Sequence, residues 1–355
     1  MPPKPLSKRH AYTQFKIVEI IEETSDARTF VLEPPRHLRA SFSYLAGQYL
    51  TIRLRLGMDR YVRCYSMSSS PDVDALPRIT IKRVTDGLVS NFMNDMMKVG
   101  YSIESMPPSG EFVLHDRDEP IVALASGSGI TPVISIIKTA LATTDRSIRL
   151  LFANASRSSV IFADTLAQLA ESHPGRLDVT HHIYEEAGYA TVDTVTRFLG
   201  TESAIDTYVC GSRSFTATVS DAIAGLGLTT VHYETFTPID GDDVGGGDIG
   251  VDPEAARAAI DASLTESLVV RIRGTEHTVA YQPGDTLLVA ARKANLTPPF
   301  ACENGHCGAC VAWVEDGEAV MTSNRALEPE EIADGWVVTC RAHPISPTVT
   351  YEFPD

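Results

Sequence analysis

The 355-residue chain is 43% hydrophobic and 21% charged, an ordinary globular composition at a length beyond which one core usually stops growing, so two or three domains are expected. Its formal charge of −16, from 30 basic and 46 acidic residues, disfavours nucleic acid and anionic lipid surfaces as partners. No run has the apolar length of a membrane span, the opening MPPKPLSKRHAYTQ lacks the apolar stretch of a secretory signal, and six clustered cysteines fit a reducing compartment. A cytoplasmic protein without a transmembrane segment is expected.

The first third reads as β structure. GQYLTIRLRL alternates Leu50, Ile52, Leu54 and Leu56 with Thr51, Arg53 and Arg55, the period of a strand with one buried face. FKIVEI, RTFVLE and RITIKRV repeat the theme at the spacing of a barrel or sandwich, and only GLVSNFMNDMM has helical spacing. After about Asp118, apolar strands (IVALAS, SIRLLFAN, LDVTHHIY, TYVCGS, TVHYETF) alternate with amphipathic helices (TPVISIIKTALA, FADTLAQLAESH, TVDTVTRFL, SFTATVSDAIAGL). That order predicts a parallel sheet covered on both faces, with a ligand at the carboxyl ends of its strands.

TPIDGDDVGGGDIGVDP, Thr237 to Pro253, reads as a tether spanning roughly 20 to 25 Å by random-chain scaling. A short helix follows, with Asp252 as its cap and Pro253 at its first position. From Ser267 a last module begins with two strand-like runs, LVVRIRG and HTVAYQPG, and a helix, DTLLVAARKA. There are no internal repeats.

That module holds ACENGHCGAC. Cys302 and Cys307 enclose four residues, Cys307 and Cys310 enclose two, and Cys340 follows after twenty-nine more. A structural zinc site draws its ligands as two close pairs, whereas this spacing is that of a plant-type [2Fe–2S] ferredoxin. Gly305, Gly308 and Ala309 leave room for backbone N–H groups to approach bridging sulfides. A Rieske centre is excluded because four cysteines complete the ligand set and no Cys-x-His element precedes them, so His306 and His343 are expected in solvent.

RCYSMSSSP offers Arg63 as a phosphate partner, with an aromatic at Tyr65 and a hydroxyl at Ser66, and DGLVSNF places Gly87, Val89 and Ser90 at a helix start, where free N–H groups favour a pyrophosphate. Arg-x-Tyr-Ser-x-x-Ser (Arg63, Tyr65, Ser66, Ser69) and Gly-x-Val-Ser (Gly87, Val89, Ser90) resemble the ferredoxin-NADP reductase superfamily. The likeness is to reductase components of bacterial multicomponent oxygenases with a carboxyl-terminal plant-type ferredoxin, those of 3-ketosteroid 9α-hydroxylase first and of phenylacetyl-CoA epoxidase next, and covers residues 11 to 355. It implies a FAD-binding antiparallel β-barrel domain (11–117), an NAD(P)-binding α/β parallel-sheet domain (118–236), an acidic Gly-rich linker (237–266) and an α+β, β-grasp-like [2Fe–2S] domain (267–355). By the same likeness Arg63 neutralises the flavin pyrophosphate, Tyr65 packs on the isoalloxazine, and Ser66 hydrogen-bonds near its N5. FAD is favoured over FMN.

ASGSGITP follows a strand and opens a helix, with Thr131 expected to cap it and Gly127 and Gly129 expected to admit a phosphate. SIRLLFAN ends without the acidic residue that binds an adenosine ribose in NAD sites, and Arg157, between two serines, is a seat for a 2′-phosphate. This leans toward NADPH, whereas the ketosteroid relatives use NADH, and both stay open. In YVCGS, Cys210 precedes Gly211; the family places that cysteine beside the nicotinamide, and a small buried hydrophobe reads equally well. Glu234 and Phe236 resemble the family's Glu-x-Phe ending near the flavin. Cys64 has no assigned role.

Nicotinamide gives two electrons together and an iron–sulfur cluster accepts one, so a flavin must split the pair. The expected order is NAD(P)H to FAD, FAD to [2Fe–2S], and cluster to a separate oxygenase, with Ser66, Cys210 and Glu234 at the hydride step. The rival readings are a fatty-acyl desaturase partner, a stand-alone flavin reductase or diaphorase, and a non-enzymatic zinc-binding protein.

Overall fold

The computed structural model describes residues 6–7, 10–39, 42–57, 59–236 and 250–354. The first sheet is built from β1 (Thr13–Thr24), β2 (Ala27–Glu33), β3 (Tyr49–Leu56), β4 (Asp59–Ser66), β5 (Arg78–Lys82) and β6 (Ser102–Ser105). Its order is β4-β3-β6-β1-β2-β5, with antiparallel pairing throughout. A bridge between Met67 and Ile79 joins its two ends into a barrel, which removes the exposed edges an open sheet would leave. Leu50, Ile52 and Leu54 point into the barrel core as the alternation predicts, and α1 (Leu88–Met96) adds Val89 and Met93 to it. The opposite face of β3 departs from expectation: Thr51 is only 1% exposed, and on the same face of the hairpin Tyr49 and Val62 pack against Cys307 and Ala309.

The second sheet contains β7 (Ile121–Ser126), β8 (Ile148–Asn154), β9 (Leu177–Ile183), β10 (Asp206–Cys210) and β11 (Val231–Glu234). All neighbours pair in parallel, in the order β11-β10-β7-β8-β9. The helices α2 (Ile130–Thr143), α3 (Ala163–Ser172), α4 (Tyr184–Ala187), α5 (Val192–Leu199) and α6 (Arg213–Leu226) alternate with the strands. Ile121, Ala123 and Ala125 of β7 face α2 and α3, whereas Val122 and Leu124 face α5 and α6. Both faces are therefore covered, as the continuous apolar runs require. The four-residue α4 is not legible in LDVTHHIY, which reads as strand to its end.

Residues 237–249, most of the expected tether, lie outside the described residues. Beyond them α7 (Pro253–Asp261) starts as the sequence predicts: the Asp252 carboxylate accepts from the backbone N–H of Glu254 and Ala255 at 3.1 and 3.0 Å. The last module comprises β12 (Ser267–Ile272), β13 (Thr275–Ala280), α8 (Leu287–Lys293), β14 (Val311–Asp316), β15 (Ala319–Met321), α9 (Pro329–Ala333), β16 (Trp336–Val338), β17 (Ala342–Pro344) and β18 (Thr348–Glu352). Five strands form a mixed sheet, β13-β12-β18-β14-β16, while β15 and β17 make a separate hairpin. Among the described residues no helix is long and apolar enough to cross a membrane.

The last module is seated on the barrel. Arg273 pairs with Asp59 of β4 at 3.2 Å, and Arg325 pairs with Glu111. The segment before β1 takes part as well: Leu6 packs on the last module's core, and the Ser7 backbone N–H donates to Glu331 at 3.0 Å.

Candidate functional site

Four cysteines far apart in sequence are gathered by strand pairing. Cys310 immediately precedes β14 and Cys340 lies two residues past β16, and the antiparallel register Val311↔Val338 brings the two ends together. Thr339 locks them, its backbone N–H and hydroxyl both donating to the Cys310 carbonyl at 3.1 and 2.8 Å. The thiols form two pairs within hydrogen-bonding reach, Cys302 with Cys307 and Cys310 with Cys340.

Hydrogen bonding to Cys307, then burial, pushes the Cys302 thiol up; hydrogen bonding to Cys310, then burial, does the same for Cys340. Four thiolates this close need cationic centres among them. Among the described residues, no three His, Cys, Asp or Glu side chains converge as one mononuclear ion requires. Two pairs suit a two-iron cluster, so the residues present fit the group that the spacing implies.

Gly308, at φ 69°, has no room for a side chain: a Cβ would stand 2.7 Å from the His10 ring. Gly305, at φ 80°, would press on the Ser323 carbonyl at 3.0 Å. His306 and His343 are half-buried rather than in solvent, each with one ring nitrogen out of contact with water. His343 is held there by the β15–β17 pairing with Val320, and burial pushes its pKa down.

The expected flavin residues lie on β4 and the turns beyond it. Arg63 donates to the Val62 carbonyl at 2.7 Å and stands 5.7 Å from the ring of Phe300, which leads into the cysteine loop. Among the described residues it has no carboxylate partner, so its charge is available to a phosphate. Tyr65 packs on the barrel core and Ser66 is 4% exposed. The Ser69 hydroxyl is committed within the protein, bonded to the Tyr44 hydroxyl at 2.7 Å and accepting from the Arg78 N–H at 2.8 Å. The Ser90 hydroxyl likewise accepts from the Val84 N–H at 3.0 Å, while Gly87 leaves the start of α1 without a side-chain cap.

At the carboxyl end of the parallel sheet, Cys210 and Glu234 face each other as register partners on β10 and β11. Cys210 is fully buried, which pushes its thiol up. Burial also raises Glu234, to about 7, against one opposing hydrogen bond from the Thr235 N–H at 3.2 Å. Phe236 is 47% exposed just beyond. Tyr49, which no sequence motif singles out, pairs in register with Ser66 and packs in one cluster with Cys307 and Ala309, with Cys64 and Cys302 alongside.

The nucleotide turn corrects two expectations. A 3₁₀ turn, Gly127–Gly129, runs directly into α2, so Gly129 rather than Thr131 occupies the cap position, and the Thr131 hydroxyl donates to the Ser128 carbonyl at 2.9 Å. Gly129 is required by packing, since a Cβ would meet the Cys210 carbonyl oxygen at 2.1 Å. Gly211 is similarly confined by Ser126, its Cβ 2.4 Å from that hydroxyl. Gly127 alone fits the expected role, at φ 52° with open space where a side chain would be. Asn154, 2% exposed at the end of β8, has both amide atoms without a protein partner, a buried polar group suited to a ligand.

Arg157, expected as a seat for a 2′-phosphate, is paired with a carboxylate. Its Nε and Nη2 donate to the two carboxylate oxygens of Glu186 at 2.7 and 2.9 Å. Glu186 of α4, on the next strand's turn, thus brings a carboxylate beside the end of β8, where strand-end spacing gave no sign of one.

Comparison with known proteins agrees with this layout. Residues 14–114 match the oxidoreductase FAD-binding domain family, 123–221 the oxidoreductase NAD-binding domain family, and 270–344 the 2Fe-2S iron-sulfur cluster binding domain family. The ferredoxin reductase component of 3-ketosteroid-9-alpha-monooxygenase from Rhodococcus rhodochrous is 34% identical over 344 residues, covering 94% of this chain and 95% of that protein. A component of 1,2-phenylacetyl-CoA epoxidase from Escherichia coli is 27% identical, covering 95% of this chain and 96% of that protein. The crystal structure of phthalate dioxygenase reductase shares the fold, with a TM-score of 0.60 at 24% identity over 97% of this chain and 98% of that one. An antiparallel flavin barrel, a parallel nucleotide sheet and a cysteine-bearing module in one continuous match make this chain a member of the family of ferredoxin reductase components of monooxygenases, an oxidoreductase that passes electrons from NAD(P)H through FAD to a [2Fe–2S] cluster.

Proposed function

We propose that electrons enter from NADH at the carboxyl end of the β7–β11 sheet, cross at Tyr49 and leave through a cluster held by Cys302, Cys307, Cys310 and Cys340 to a separate terminal oxygenase. The observation that carries this reading is the packing of Tyr49 of the flavin barrel on Cys307 of the cysteine loop, with Cys210 and Glu234 paired at the carboxyl end of the nucleotide sheet. When bound, the nicotinamide supplies a hydride, the flavin takes it and parts with its two electrons singly, and the cluster carries one at a time.

The chain's own residues supply position and charge. Arg63 would offset the flavin pyrophosphate, Tyr65 and Phe236 would pack near its ring, and Ser66 would offer it a hydroxyl. Val89 offers its backbone N–H in the first turn of α1, beside a cap residue, Gly87, whose own N–H is bonded to the Val84 carbonyl at 2.9 Å, and Gly127 leaves open space before α2. Ser69 and Ser90 hold those turns in shape through the hydrogen bonds described above. Glu234, neutral below about pH 7, sets the proton count beside Cys210. NADH is preferred because Glu186 occupies the Arg157 fork and its charge opposes a 2′-phosphate.

The division into domains 11–117, 118–236 and 267–355, with 237–266 between, is adopted for the same reading. Free cysteines at all six positions support placement in the cytoplasm. By likeness to the 3-ketosteroid relatives, the oxygenase served acts on a steroid or similar fused-ring substrate. Anaerobic titration of the purified protein with NADH and with NADPH, followed by absorbance, tests the core of this. Bleaching of both flavin and iron–sulfur bands at lower NADH than NADPH is expected; material that bleaches with neither coenzyme, or that lacks iron, overturns it.

A further inference from the structure

On the outer face of the β3–β4 hairpin, Tyr49, Val62 and Cys64 pack against Cys307 and Ala309, with Ala301 and Cys302 alongside. Two features of this contact exceed what packing needs. Tyr49 is 7% exposed, yet its hydroxyl has no hydrogen-bond partner in the protein, an arrangement that costs about 1–3 kcal/mol unless something else accepts from it. The side chain is fixed in place: its backbone exchanges hydrogen bonds with Ser109 at 2.8 and 3.0 Å, and its ring lies so close to Gly110 that a Cβ there would stand 3.0 Å away. A phenol is protonated near neutral pH and donates one hydrogen bond, and Cys307 shares its cluster, with Cys302 packed alongside.

Cys64 is the second feature. It lies between Arg63 and Tyr65, so strand alternation turns it away from them and toward the cysteine loop, where its side chain comes within hydrogen-bonding reach of Cys307. Across the hairpin the Thr51 hydroxyl stands 3.6 Å from the Cys64 sulfur. With Thr51 donating, the Cys64 S–H is left to point at Cys307.

We propose that Tyr49 and Cys64 are positioning residues for the cluster, a pair of donors built into the flavin domain that hydrogen-bond to its sulfurs from outside the cluster's own module. This inference rests on the assignment of the cluster to Cys302, Cys307, Cys310 and Cys340. Hydrogen bonds to sulfur stabilise the extra negative charge of the reduced state, and with solvent exposure they set the potential of such clusters. The flavin barrel thereby raises the potential of the group it reduces and favours transfer in that direction. By reciprocity, reduction tightens the seating of the last module on the barrel.

The test is an anaerobic potentiometric titration of the full-length holoprotein, with the cluster followed by electron paramagnetic resonance and the flavin by absorbance. Tyr49→Phe removes one oxygen and keeps the ring. At a fixed poise its reduced-to-oxidised cluster ratio is expected to fall about tenfold, equivalent to about 59 mV for one electron, with loss of an exchangeable-proton hyperfine coupling. Cys64→Ala should lower the ratio in the same direction, and Cys64→Ser, which keeps a donor, should recover part of it. Unchanged cluster potential and hyperfine coupling in both Tyr49→Phe and Cys64→Ala would overturn the proposal, as would a shift confined to the flavin. Should Tyr49→Phe not accumulate, the two Cys64 variants decide alone. A wild-type protein without a paramagnetic cluster when reduced strikes instead at the ligand assignment beneath the proposal.

Discussion

At the nucleotide end, the side chains of Arg157 and Glu186 are 73 and 50% exposed and Tyr189 is 78% exposed, on turns that follow β8 and β9. At the cysteine end, Cys307, Cys310 and Cys340 are at most 7% exposed, and their loop is roofed by a hairpin from another part of the chain. The contrast follows from what each end handles. A coenzyme must arrive and depart on every turnover, which calls for open turns with weak, replaceable contacts. A cluster holding a single electron stays in place and needs shielding from water, with its surroundings fixed in advance.

Breaking the closed end should have the largest effect. In Cys310→Ala the iron content should collapse and acceptor reduction should fall by more than the roughly 10- to 100-fold typical of an outer-shell change at a metal, while stopped-flow reduction of the flavin by NADH continues. Equal loss of both half-reactions would mean that the two ends are not separable.

The open end stands on a buried anchor at the opposite, amino end of its strands, where β10 begins. Asp206 accepts from Arg146 at 2.7 Å, from the Tyr208 hydroxyl at 3.0 Å, and pairs with His232 at 2.8 Å. Burial alone would raise its pKa, but the hydrogen bonds from His232, Arg146 and Tyr208 together bring it down to about 2. Asp206→Ala strands the Arg146 charge and should cost about 3–5 kcal/mol in urea denaturation. Because the carboxyl is depressed in the folded state, its contribution is present above its ordinary value of 3.8 and is lost as the pH falls toward 2. A variant with an unaltered acid limb would contradict this.

Glu234 lies between the two ends and titrates the other way. The folded protein holds its proton up to about 7 against an ordinary 4.5, so stability drains away as the pH rises between those values and the loss is complete above them. Glu234→Gln should therefore exceed wild type in stability at pH 8, by roughly 1–2 kcal/mol after allowance for partial exposure, and match it below pH 4.5. The wild-type hydride-transfer rate should inflect near pH 7 and the variant's profile should be flat there. The smallest effect belongs to the exposed pair: Glu186→Gln should raise kcat/KM for NADPH relative to NADH roughly 2- to 5-fold, the scale of a solvent-exposed ion pair. No change would assign coenzyme choice elsewhere.

What the sequence makes legible is what lies close together in the chain. The period of Leu50, Ile52 and Leu54, the alternation of strands and helices from Ile121 onward, the Asp252 cap and the cysteine spacing are all local patterns, and each appears in the fold as expected. The departures share a cause. Arg157 is occupied and Gly129 is confined because of Glu186 and Cys210, partners that topology brings in from 29 and 81 positions away. Tyr49 gives no sequence signal, because a tyrosine at the start of a strand is unremarkable until its hydroxyl is found without a partner. Thr131 departs for a local reason, a 3₁₀ turn that moves the helix start by two residues.

The packing of Leu6 and Ser7 on the last module has a practical consequence for anyone building chimeras. Exchanging the carboxyl-terminal module for that of another reductase by splicing at the acidic stretch alone would leave the recipient's amino-terminal segment facing a surface for which it was not shaped. The transferable unit is discontinuous, the last module together with Leu6 and Ser7, which lie more than 250 positions away in the chain yet complete its surface.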